Sequence, residues 1–589
     1  MSSMSSLYIG TSGLTASQNA LNATAHNLAN VDTKGFVRQQ VLFQDTKYKS
    51  LKVDHISSNQ VGMGATIDIV RQVRDQFLDK SYRLEVGRQG FYDAQYTAVS
   101  ELESVFGEME GVAFQDSLED FWKSMQELVK EPDNIVQRGT LVQTAVSFIE
   151  RAELISNQIK EYQVNLNTEI MNSVKSINAY GKQINALNDA IRRIEAGGVE
   201  QANDLRDTRN LLLDELGQLV NITYKESAEG VVTVSVEGVP FVTEDSVNEM
   251  GYTTISDSSP MLKPVWDHID QDVYDLGKVT NSNDNSDVGY LKGLLVSRGD
   301  SAANYTDIPI APKKDDFADE DAYNKALLQY EKDVETYNNR INSSVIMNMQ
   351  AQFDQLIHGI VTAVNDILCP NKTITIFENG EYKEIKVLDE ENAPTGMGEG
   401  NEQPGTELFS RKSTDRYSYE QVYLSDDPDA DPVWVYRYNE ESASDNYSLY
   451  TLGEIEVNTD ILNNVSLLPL SSKGSSDEFD NKVCEQLKDI WDKSFATLGP
   501  NTMTECTFKN YYTALIGDLA NKGNTYDVIA TNQGDMVSSI DNQRTSITGV
   551  SSDEELSNMI KYQHAYNAAA RYVNVVSEML EHVINSFFN

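Results

Sequence analysis

The side chains that most often bind metals or act in catalysis are few and scattered in this sequence. Its six histidines include no His-Glu-x-x-His pair, which is the spacing of a zinc protease. The three cysteines, Cys369, Cys484 and Cys506, are far apart and form no Cys-x-x-Cys pair. A structural zinc site needs four ligands at short, regular spacing. The sequence therefore predicts no metal and no cofactor, and the cysteines are interpreted as small buried apolar residues rather than a disulfide.

Three short motifs imitate functional sites. The string GTSGL at 10–14 misses the Gly-x-Ser-x-Gly arrangement of a hydrolase nucleophile by one position. Residues 281–289 carry Asn and Asp at a spacing that hints at a calcium loop, but the bidentate Glu is missing. Arg298, Gly299 and Asp300 spell an adhesion tripeptide, which three residues produce easily by chance. No set of nucleophile, base and orienting group is evident, so the prediction is a protein that is not an enzyme.

The N-terminal stretch that contains the first of these motifs has the pattern of a helix with a narrow apolar stripe. Leucine recurs every seventh residue, at Leu7, Leu14, Leu21 and Leu28, and alanines surround the stripe. No Asp, Glu, Lys or Arg precedes Asp32. A helix that faces water normally carries charge on its outer side. The pattern favours a helix surrounded by other helices, and the alternative is an ordinary amphipathic core helix.

The C-terminal stretch carries a second stripe, with the three- and four-residue steps of a coiled coil. Its positions are Leu556, Met559, Gln563, Tyr566, Ala570, Val573, Ser577, Leu580, Ile584 and Phe587. Each of the two terminal helices needs a partner to cover its stripe. The simplest arrangement pairs the first helix with the last, so that the rest of the chain is one large insertion between them.

Both ends resemble the terminal motifs of bacterial flagellar rod, hook and hook-associated proteins. At the N-terminus the matching residues are Gly13, Leu14, Ala16, Asn27, Leu28, Ala29, Asn30, Thr33, Gly35 and Phe36. At the C-terminus they are Gly549, Val550, Asp553, Glu554, Glu555, Gln563, Ala565, Tyr566, Ala568, Ala570, Arg571, Glu578, Met579 and Leu580. The long helical patterns in the middle of the chain favour the hook-associated members over rod and hook proteins.

The resemblance implies a structural component of the flagellum that joins hook to filament. Its expected partners are copies of itself in a ring-like layer, the hook protein on one side and a second hook-associated junction protein on the other. Two further expected partners are the flagellar export apparatus and an export chaperone that binds the C-terminal helix. The predicted assembly interface consists of Leu7, Leu14, Leu21, Leu28, Asn27, Asn30, Gly35, Leu556, Met559, Gln563, Tyr566, Ala570, Val573, Leu580 and Ile584. Gly35 is also predicted to cap the first helix. The alternative function is a secreted adhesin or hydrolase on helical stalks.

Composition and charge argue against several further classes of function. The chain has 589 residues and a formal net charge of −44, from 91 acidic and 47 basic residues. Such a chain repels phosphate, which argues against nucleic-acid binding, and it has no basic cluster for a membrane surface. No apolar run has the length of a membrane span, and the N-terminus lacks the pattern of a secretory signal. The family resemblance implies an extracellular location, reached by export without a cleaved signal peptide.

The predicted fold class is α+β, with a long-helix coiled-coil bundle formed by the N- and C-terminal regions and with inserted β-rich outer domains. The predicted divisions are a terminal domain (1–38 with 550–589), a bundle (39–220 with 320–368 and 505–549), a β-rich domain (221–300) and a β-rich insertion (370–470). Near-heptad spacing over 138–196 predicts the longest helix, and 322–368 and 508–548 are its candidate partners. The insertion is rich in turns, so it is expected to be exposed and dispensable.

Overall fold

The computed structural model describes residues 3–54, 57–107, 113–198, 200–256, 259–317, 319–398, 401–426, 431–471 and 481–588. Most of these residues are helical. The α-helices are α1 (Ser3–Ala29), α2 (Gln76–Phe106), α3 (Phe114–Lys130), α4 (Ile135–Glu195), α5 (Asn203–Leu219), α6 (Tyr290–Arg298), α7 (Glu320–Thr336), α8 (Val345–Leu368), α9 (Thr459–Asn463), α10 (Asn481–Asp489), α11 (Phe508–Thr548) and α12 (Ser552–Phe588). Across these ranges, no helix combines the length and the apolar content that a membrane crossing requires.

The strands form several small antiparallel sheets between the helices. Near the N-terminus, β1 (Gln39–Asp45) pairs with β4 (Ala65–Gln72), and β2 (Tyr48–Asp54) pairs with β3 (Ser57–Gly62). The middle of the chain adds β5 (Ile222–Glu226), β6 (Val232–Val236), β7 (Val239–Val242), β8 (Met250–Thr254), β9 (Leu262–Trp266) and β10 (Gln271–Asp272). The insertion contributes β11 (Asn371–Glu378), β12 (Glu381–Leu388), β13 (Thr395–Gly398), β14 (Asn401–Pro404), β15 (Phe409–Arg411), β16 (Tyr417–Val422), β17 (Val433–Tyr438) and β18 (Ile455–Val457). The α+β fold class is confirmed.

Helix α4 is the predicted longest element, and its 61 residues make it about 90 Å long. The side chain of Asn134 caps its first turn by accepting the Val136 N–H at 2.9 Å. Apolar residues three and four apart, such as Ile155, Ile159 and Leu166, are buried along one side. That side is covered mainly by α3, α5 and α6, which come from nearby parts of the chain.

The predicted partners of α4 need correction. Helix α11 packs along α2 instead, from Leu515 near its start to Arg544 near its end. Only the second half of 322–368, helix α8, joins the main core, where Phe353, Leu356 and Ile360 are buried. The first half, α7, contributes no residue to that core. Periodicity shows that a helix has an apolar face, but it does not identify which helix covers that face.

The insertion is not the exposed appendage that was expected. Its inner half shares the main hydrophobic core with the bundle, through Leu408, Phe409, Tyr450, Leu452 and Ile455. The Phe409 ring lies 5.8 Å from the Phe121 ring of α3 in an edge-to-face contact. The outer half is the sheet β11-β12-β17-β16, which has its own small apolar cluster around Ile385 and Val387. The prediction of exposure is therefore wrong for the inner half.

Buried polar groups fix this inner half to α8. The Asp354 carboxylate accepts the backbone N–H of Leu452 at 2.7 Å and the Thr451 hydroxyl at 2.7 Å. Nearby, Glu441 from the insertion lies 3.2 Å from His358 Nε2 and accepts the Tyr305 hydroxyl. Burial alone would raise the pKa of Glu441, but its hydrogen bonds and the charge of His358 hold that pKa at about 2.

The terminal helices α1 and α12 pack against each other, with the β1–β4 pair beside α1. Strands β1 to β4 lie in a part of the chain that the predicted division had assigned to the helical bundle. The domain division itself stays a prediction. The turn that follows α1 leads into β1, and the short segment 549–551 leads from α11 into α12, so both terminal helices leave the bundle at one end of α11.

Candidate assembly interface

The two terminal helices approach each other closely because one of them presents glycine. A Cβ atom at Gly10 would lie 2.7 Å from Val573 Cγ2, which is closer than real side chains approach. At Gly13 a Cβ would lie 3.7 Å from the Ala569 Cβ, an ordinary contact distance. The order of these contacts along the chain makes α1 and α12 antiparallel.

The seam between the helices follows a heptad pattern of small residues on α1. Its positions step by three and four through Gly10, Gly13, Ser17, Ala20, Thr24 and Asn27. The facing positions on α12 are the buried or half-buried residues Glu555, Met559, Tyr562, Tyr566, Ala569, Val573, Val576 and Leu580. Bulky residues of α12 thus pack onto a flat, small-residue surface of α1. Sequence reasoning missed this seam on α1, although the regular spacing of small residues was a usable signal.

The predicted leucine stripe lies beside this seam rather than in it. Leu7, Leu14, Leu21 and Leu28 occupy the heptad positions next to the seam and are half-buried. The opposite side of α1 faces β4, where a Cβ at Gly64 would clash with Ser12. The leucines therefore lie on the side of α1 that faces away from β4.

The predicted stripe on α12 is divided in the same way. Met559, Tyr566, Val573 and Leu580 lie in the seam. Leu556, Gln563, Ala570, Ser577 and Ile584 lie one position past it, and Leu556 and Ile584 are 45% and 52% exposed. The expectation that the whole stripe faces α1 is therefore wrong, because the seam switches to Glu555, Tyr562, Ala569 and Val576. Phe587 has no described side-chain environment.

The two displaced stripes lie on the same side of the helix pair. In an antiparallel pair, positions that directly follow the seam on one helix face the equivalent positions on the other. The contact of Gly10 with Val573 sets the register and brings Leu14 beside Ala570, Leu21 beside Gln563 and Leu28 beside Leu556. The result is one half-open, mostly apolar strip along the pair, which we call the leucine face.

The polar motif residues hold the end of α1 to the strands that follow. Asn27, which is 1% exposed, exchanges two hydrogen bonds with the backbone of Gln39 at the start of β1. Asn30 donates to the His26 carbonyl at 3.0 Å and accepts the Thr33 hydroxyl. Helix α1 ends at Ala29, so Gly35 is not its cap. Gly35 has a φ of +82° in the next turn, where it contacts Leu211.

A buried carboxyl lies at the same end of the pair. Glu555 of α12 is 4% exposed and is hydrogen-bonded to Thr24 and Asn27 of α1. Burial raises the pKa of Glu555, and these hydrogen bonds and the nearby Arg38 lower it only in part. Arg38 also forms an ion pair with Glu554 at 2.8 Å, and its backbone N–H donates to the Thr548 carbonyl. These contacts fix the angle between α11 and α12.

Asp207 of α5 connects the strands near α1 to the bundle. Its carboxylate accepts the Val37 backbone N–H at 3.1 Å and the Gln72 side-chain N–H at 2.6 Å. Burial raises the pKa of Asp207 to about 7, although these hydrogen bonds and Arg74 act against the rise. An ionisable group with a pKa in this range can change charge near neutral pH.

A chain of buried ion pairs continues into the bundle. Asp214 of α5 is shared by Arg83 of α2 and Arg544 of α11, each at 2.7 Å. The Arg544 guanidinium also lies 4.0 Å above the Tyr82 ring. Three helices therefore meet at one carboxylate directly below the terminal pair. Ion pairs of this kind stabilise a particular geometry, since removing one partner leaves a buried charge uncompensated.

The motifs that imitate functional sites have structural positions. Arg298 is fully buried and donates to Asn167 at 2.6 Å, and Asp300 pairs with Arg340. Asp287, in the calcium-like string, is 1% exposed and pairs with Arg88. Among the described residues, no three His, Cys, Asp or Glu side chains converge as a metal site would require. The structure brings together no catalytic set from the residues considered in the sequence.

Models of known families match both ends and the middle of the chain. "Flagella basal body rod protein" matches residues 7–36, and "Flagellar basal body rod FlgEFG protein C-terminal" matches 542–586. "Flagellar hook-associated protein FlgK helical domain" matches 99–369. A solved structure, that of the flagellar hook junction protein FlgK from Burkholderia pseudomallei, aligns over 80% of this chain and 100% of its own, with a TM-score of 0.46 and 12% identity.

Full-length relatives carry one name. Flagellar hook-associated protein 1 of Bacillus subtilis (strain 168) is 26% identical over 577 residues, which cover 97% of this chain and 96% of the relative. The protein of that name from Escherichia coli (strain K12) is 22% identical over 580 residues and 98% of each chain. Since these matches run from one terminal helix to the other and include the helical domain, the chain belongs to the family of flagellar hook-associated protein 1, structural components of the bacterial flagellum.

Proposed function

We propose that this protein joins hook to filament by self-association of its terminal helices in a ring-like layer. The hook protein lies on one side of that layer and a second hook-associated junction protein on the other. The work is mechanical and involves no catalysis. The names of the relatives, which are called hook-associated, support the location.

The observation that carries the proposal is the one-sided leucine face. Leu7, Leu14, Leu21 and Leu28 are only half-buried, and Leu556, which lies beside Leu28, is 45% exposed. An isolated apolar strip of this length costs free energy in water, which packing against a neighbour recovers at roughly 25 cal/mol per Å². Repeated around a ring, this contact would make assembly cooperative.

The test is a charge placed on the leucine face. Leu21→Asp is compared with Gln18→Asp, which adds the same charge at an exposed position of the same helix. We expect Leu21→Asp to abolish incorporation into hook–filament junctions, with filament subunits secreted into the medium, because a carboxylate in a packed strip is costly. Gln18→Asp should assemble normally. Normal junctions with Leu21→Asp would refute the role of this face.

If Leu21→Asp fails to assemble, the melting temperature of the free monomer shows whether the cause lies in assembly or in folding. The bundle of purified Leu21→Asp should melt within about 2 °C of wild type, which is roughly the shift that 1 kcal/mol causes in a large domain. A larger drop would mean that Leu21 stabilises the folded monomer rather than the assembly.

We further propose that the chain reaches the extracellular flagellum through the flagellar export apparatus, without a cleaved signal peptide, and that an export chaperone covers the C-terminal helix before assembly. The outer side of α12 supports this, since Met579 and Val583 are 61% and 45% exposed. Met579→Asp should reduce chaperone binding, whereas Asn574→Asp, at an exposed position on another face of the same helix, should not. Equal binding of both variants would place the chaperone elsewhere.

A further inference from the structure

Helix α7 has an apolar stripe that no other helix or strand covers in the described part of the chain. Tyr323, Leu327, Tyr330 and Val334 repeat at coiled-coil spacing along one side. They are half-buried, and the Tyr323 ring lies 5.9 Å from the Phe317 ring in an edge-to-face contact. None of the four belongs to or packs on the three hydrophobic clusters of the described residues. Apart from isolated contacts, no described helix or strand other than its own continuation packs along α7.

The base of the helix is firmly anchored, so the stripe is held in place rather than loose. The same heptad pattern continues through Tyr337 and Ile341, which are 3% and 2% exposed in a cluster with Met347. These two residues lie in a π-helical turn, Tyr337–Ile341, and the Tyr337 hydroxyl donates to Asn348 at 2.7 Å. One continuous stripe therefore begins in a core and becomes half-buried toward the start of α7. An apolar stripe that is anchored at one end and only partly covered along the rest is typical of a surface that binds a partner.

The charges beside the stripe restrict what can cover it. Residues 319–335 contain six carboxylates and two lysines. Glu331 follows Tyr330 and Asp333 precedes Val334, so both carboxylates flank the stripe. An antiparallel second copy of α7 would place these carboxylates against their own equivalents, and like charges at such positions oppose pairing.

We propose that α7 is the docking face for an amphipathic helix of another protein, one whose apolar stripe is flanked by lysine or arginine. This inference does not depend on the terminal helices and goes beyond the proposed junction function. Apolar residues of the partner would pack on Leu327 and Tyr330, and its basic residues would lie beside Glu331 and Asp333. The carboxylates select the partner and the stripe supplies the affinity.

The test uses the purified full chain and three synthetic peptides. One is a three-heptad helix with leucine in the stripe and lysine at the flanking positions. The second has glutamate in place of lysine, and the third is a scrambled form of the first with the same charge. Leu327→Gln removes a stripe residue, and Leu328→Gln is its matched control, because Leu328 is 59% exposed and lies outside the stripe. Glu331→Lys with Asp333→Lys tests the charges.

We expect the lysine peptide to bind wild type and the Leu328→Gln variant equally, and to bind Leu327→Gln at least about tenfold more weakly. The glutamate and scrambled peptides should not bind, and the double lysine variant should prefer the glutamate peptide. Equal binding of the lysine peptide to both leucine variants, or binding of the scrambled peptide, would overturn the proposal, since only charge would then matter. Two further results would also overturn it. One is a wild-type dimer that Leu327→Gln dissociates, which would make the occupant a second copy. The other is a melting temperature of Leu327→Gln more than about 5 °C below that of Leu328→Gln.

Discussion

Asn27 and Gln39 are joined by two hydrogen bonds, each 2.9 Å long. The Asn27 side-chain N–H donates to the Gln39 carbonyl, and the Gln39 backbone N–H donates to Asn27 Oδ1. The amide side chain thereby replaces a neighbouring strand at the first residue of β1. Because Asn27 also lies in the seam with α12 and is hydrogen-bonded to Glu555, one side chain connects α1, α12 and the strands.

Replacement of Asn27 by alanine should loosen this connection. Two buried backbone groups of Gln39 would lose their partners, at a cost of about 1–3 kcal/mol for each group left unsatisfied. We expect faster hydrogen exchange at the Gln39 amide and along β1, measured by mass spectrometry. Asn22→Ala, at an exposed position of the same helix, should exchange as wild type. Unchanged exchange in Asn27→Ala would show that the hydrogen bonds do not stabilise the start of β1.

The two seam glycines should respond differently to the same substitution. Gly10→Ala places a methyl group 2.7 Å from Val573 Cγ2, so the helices must separate, whereas Gly13→Ala meets Ala569 at an ordinary 3.7 Å. Alanine favours a helix over glycine by about 1 kcal/mol, so Gly13→Ala should be neutral or stabilising. A disulfide between cysteines placed at Ala20 and Tyr562 would report on pairing, with its yield reduced only by Gly10→Ala. Equal yields would contradict the close approach at Gly10.

Much of the architecture could be predicted from local patterns, because period and caps are properties of neighbouring residues. Helix α4 and strand β4 follow from the spacing of apolar residues in their own sequence. The positions of α12 that form the seam could not be predicted from this local spacing. Leu556 is more apolar than Glu555, yet Glu555 is buried, because Thr24 and Asn27 of the distant helix α1 satisfy its carboxyl. A polar residue that pairs across the fold cannot be recognised as buried from its own neighbours.

The same limit explains why the insertion was wrongly predicted to be exposed. Its turns and short strands gave a local pattern typical of an exposed module, but Phe409 packs on Phe121 of α3 and its backbone is hydrogen-bonded to Asn365 of α8. The sequence predicted which helices carry the stripe residues of the candidate interface, but not how those residues are arranged. All of its stripe residues lie on α1 and α12, but part of them form the seam within the chain and part form the leucine face. The use of either in assembly stays a prediction.

Phe409→Ala should destabilise the helical bundle, not only the insertion. The ring is fully buried against Phe121, and removal of a buried phenylalanine typically costs about 3–5 kcal/mol. Trp434→Ala is the control, since Trp434 lies on the outer sheet and is 50% exposed. Urea unfolding followed by helical circular dichroism should give a lower midpoint for Phe409→Ala alone. If both variants unfold like wild type, the insertion is independent of the bundle and should be dispensable after all.

Asp207 should make stability depend on pH near neutrality. Burial raises the pKa of Asp207 from 3.8 to about 7, so the folded protein binds the proton more tightly than the unfolded chain does. The stability that this group contributes is complete below pH 3.8 and is lost as pH rises through about 7. The full loss corresponds to no more than about 4 kcal/mol, at 1.36 kcal/mol for each pKa unit. We therefore expect the free energy of unfolding of wild type to fall between pH 5.5 and pH 8 relative to that of Asp207→Asn, which cannot ionise.

The comparison needs an exposed carboxyl as a control and a readout near Asp207. Glu229→Gln is the control, because Glu229 is exposed and is not among the groups that act on the pKa of Asp207. Unfolding curves at pH 5.5, 6.5, 7.5 and 8 keep the chain above its isoelectric point of about 4.4. Exchange at the Val37 amide, corrected for its intrinsic pH dependence, reports on the local hydrogen bond to Asp207. Parallel pH profiles for wild type, Glu229→Gln and Asp207→Asn would mean that Asp207 is already ionised at pH 5.5, and that Arg74 and the hydrogen bonds from Val37 and Gln72 outweigh its burial.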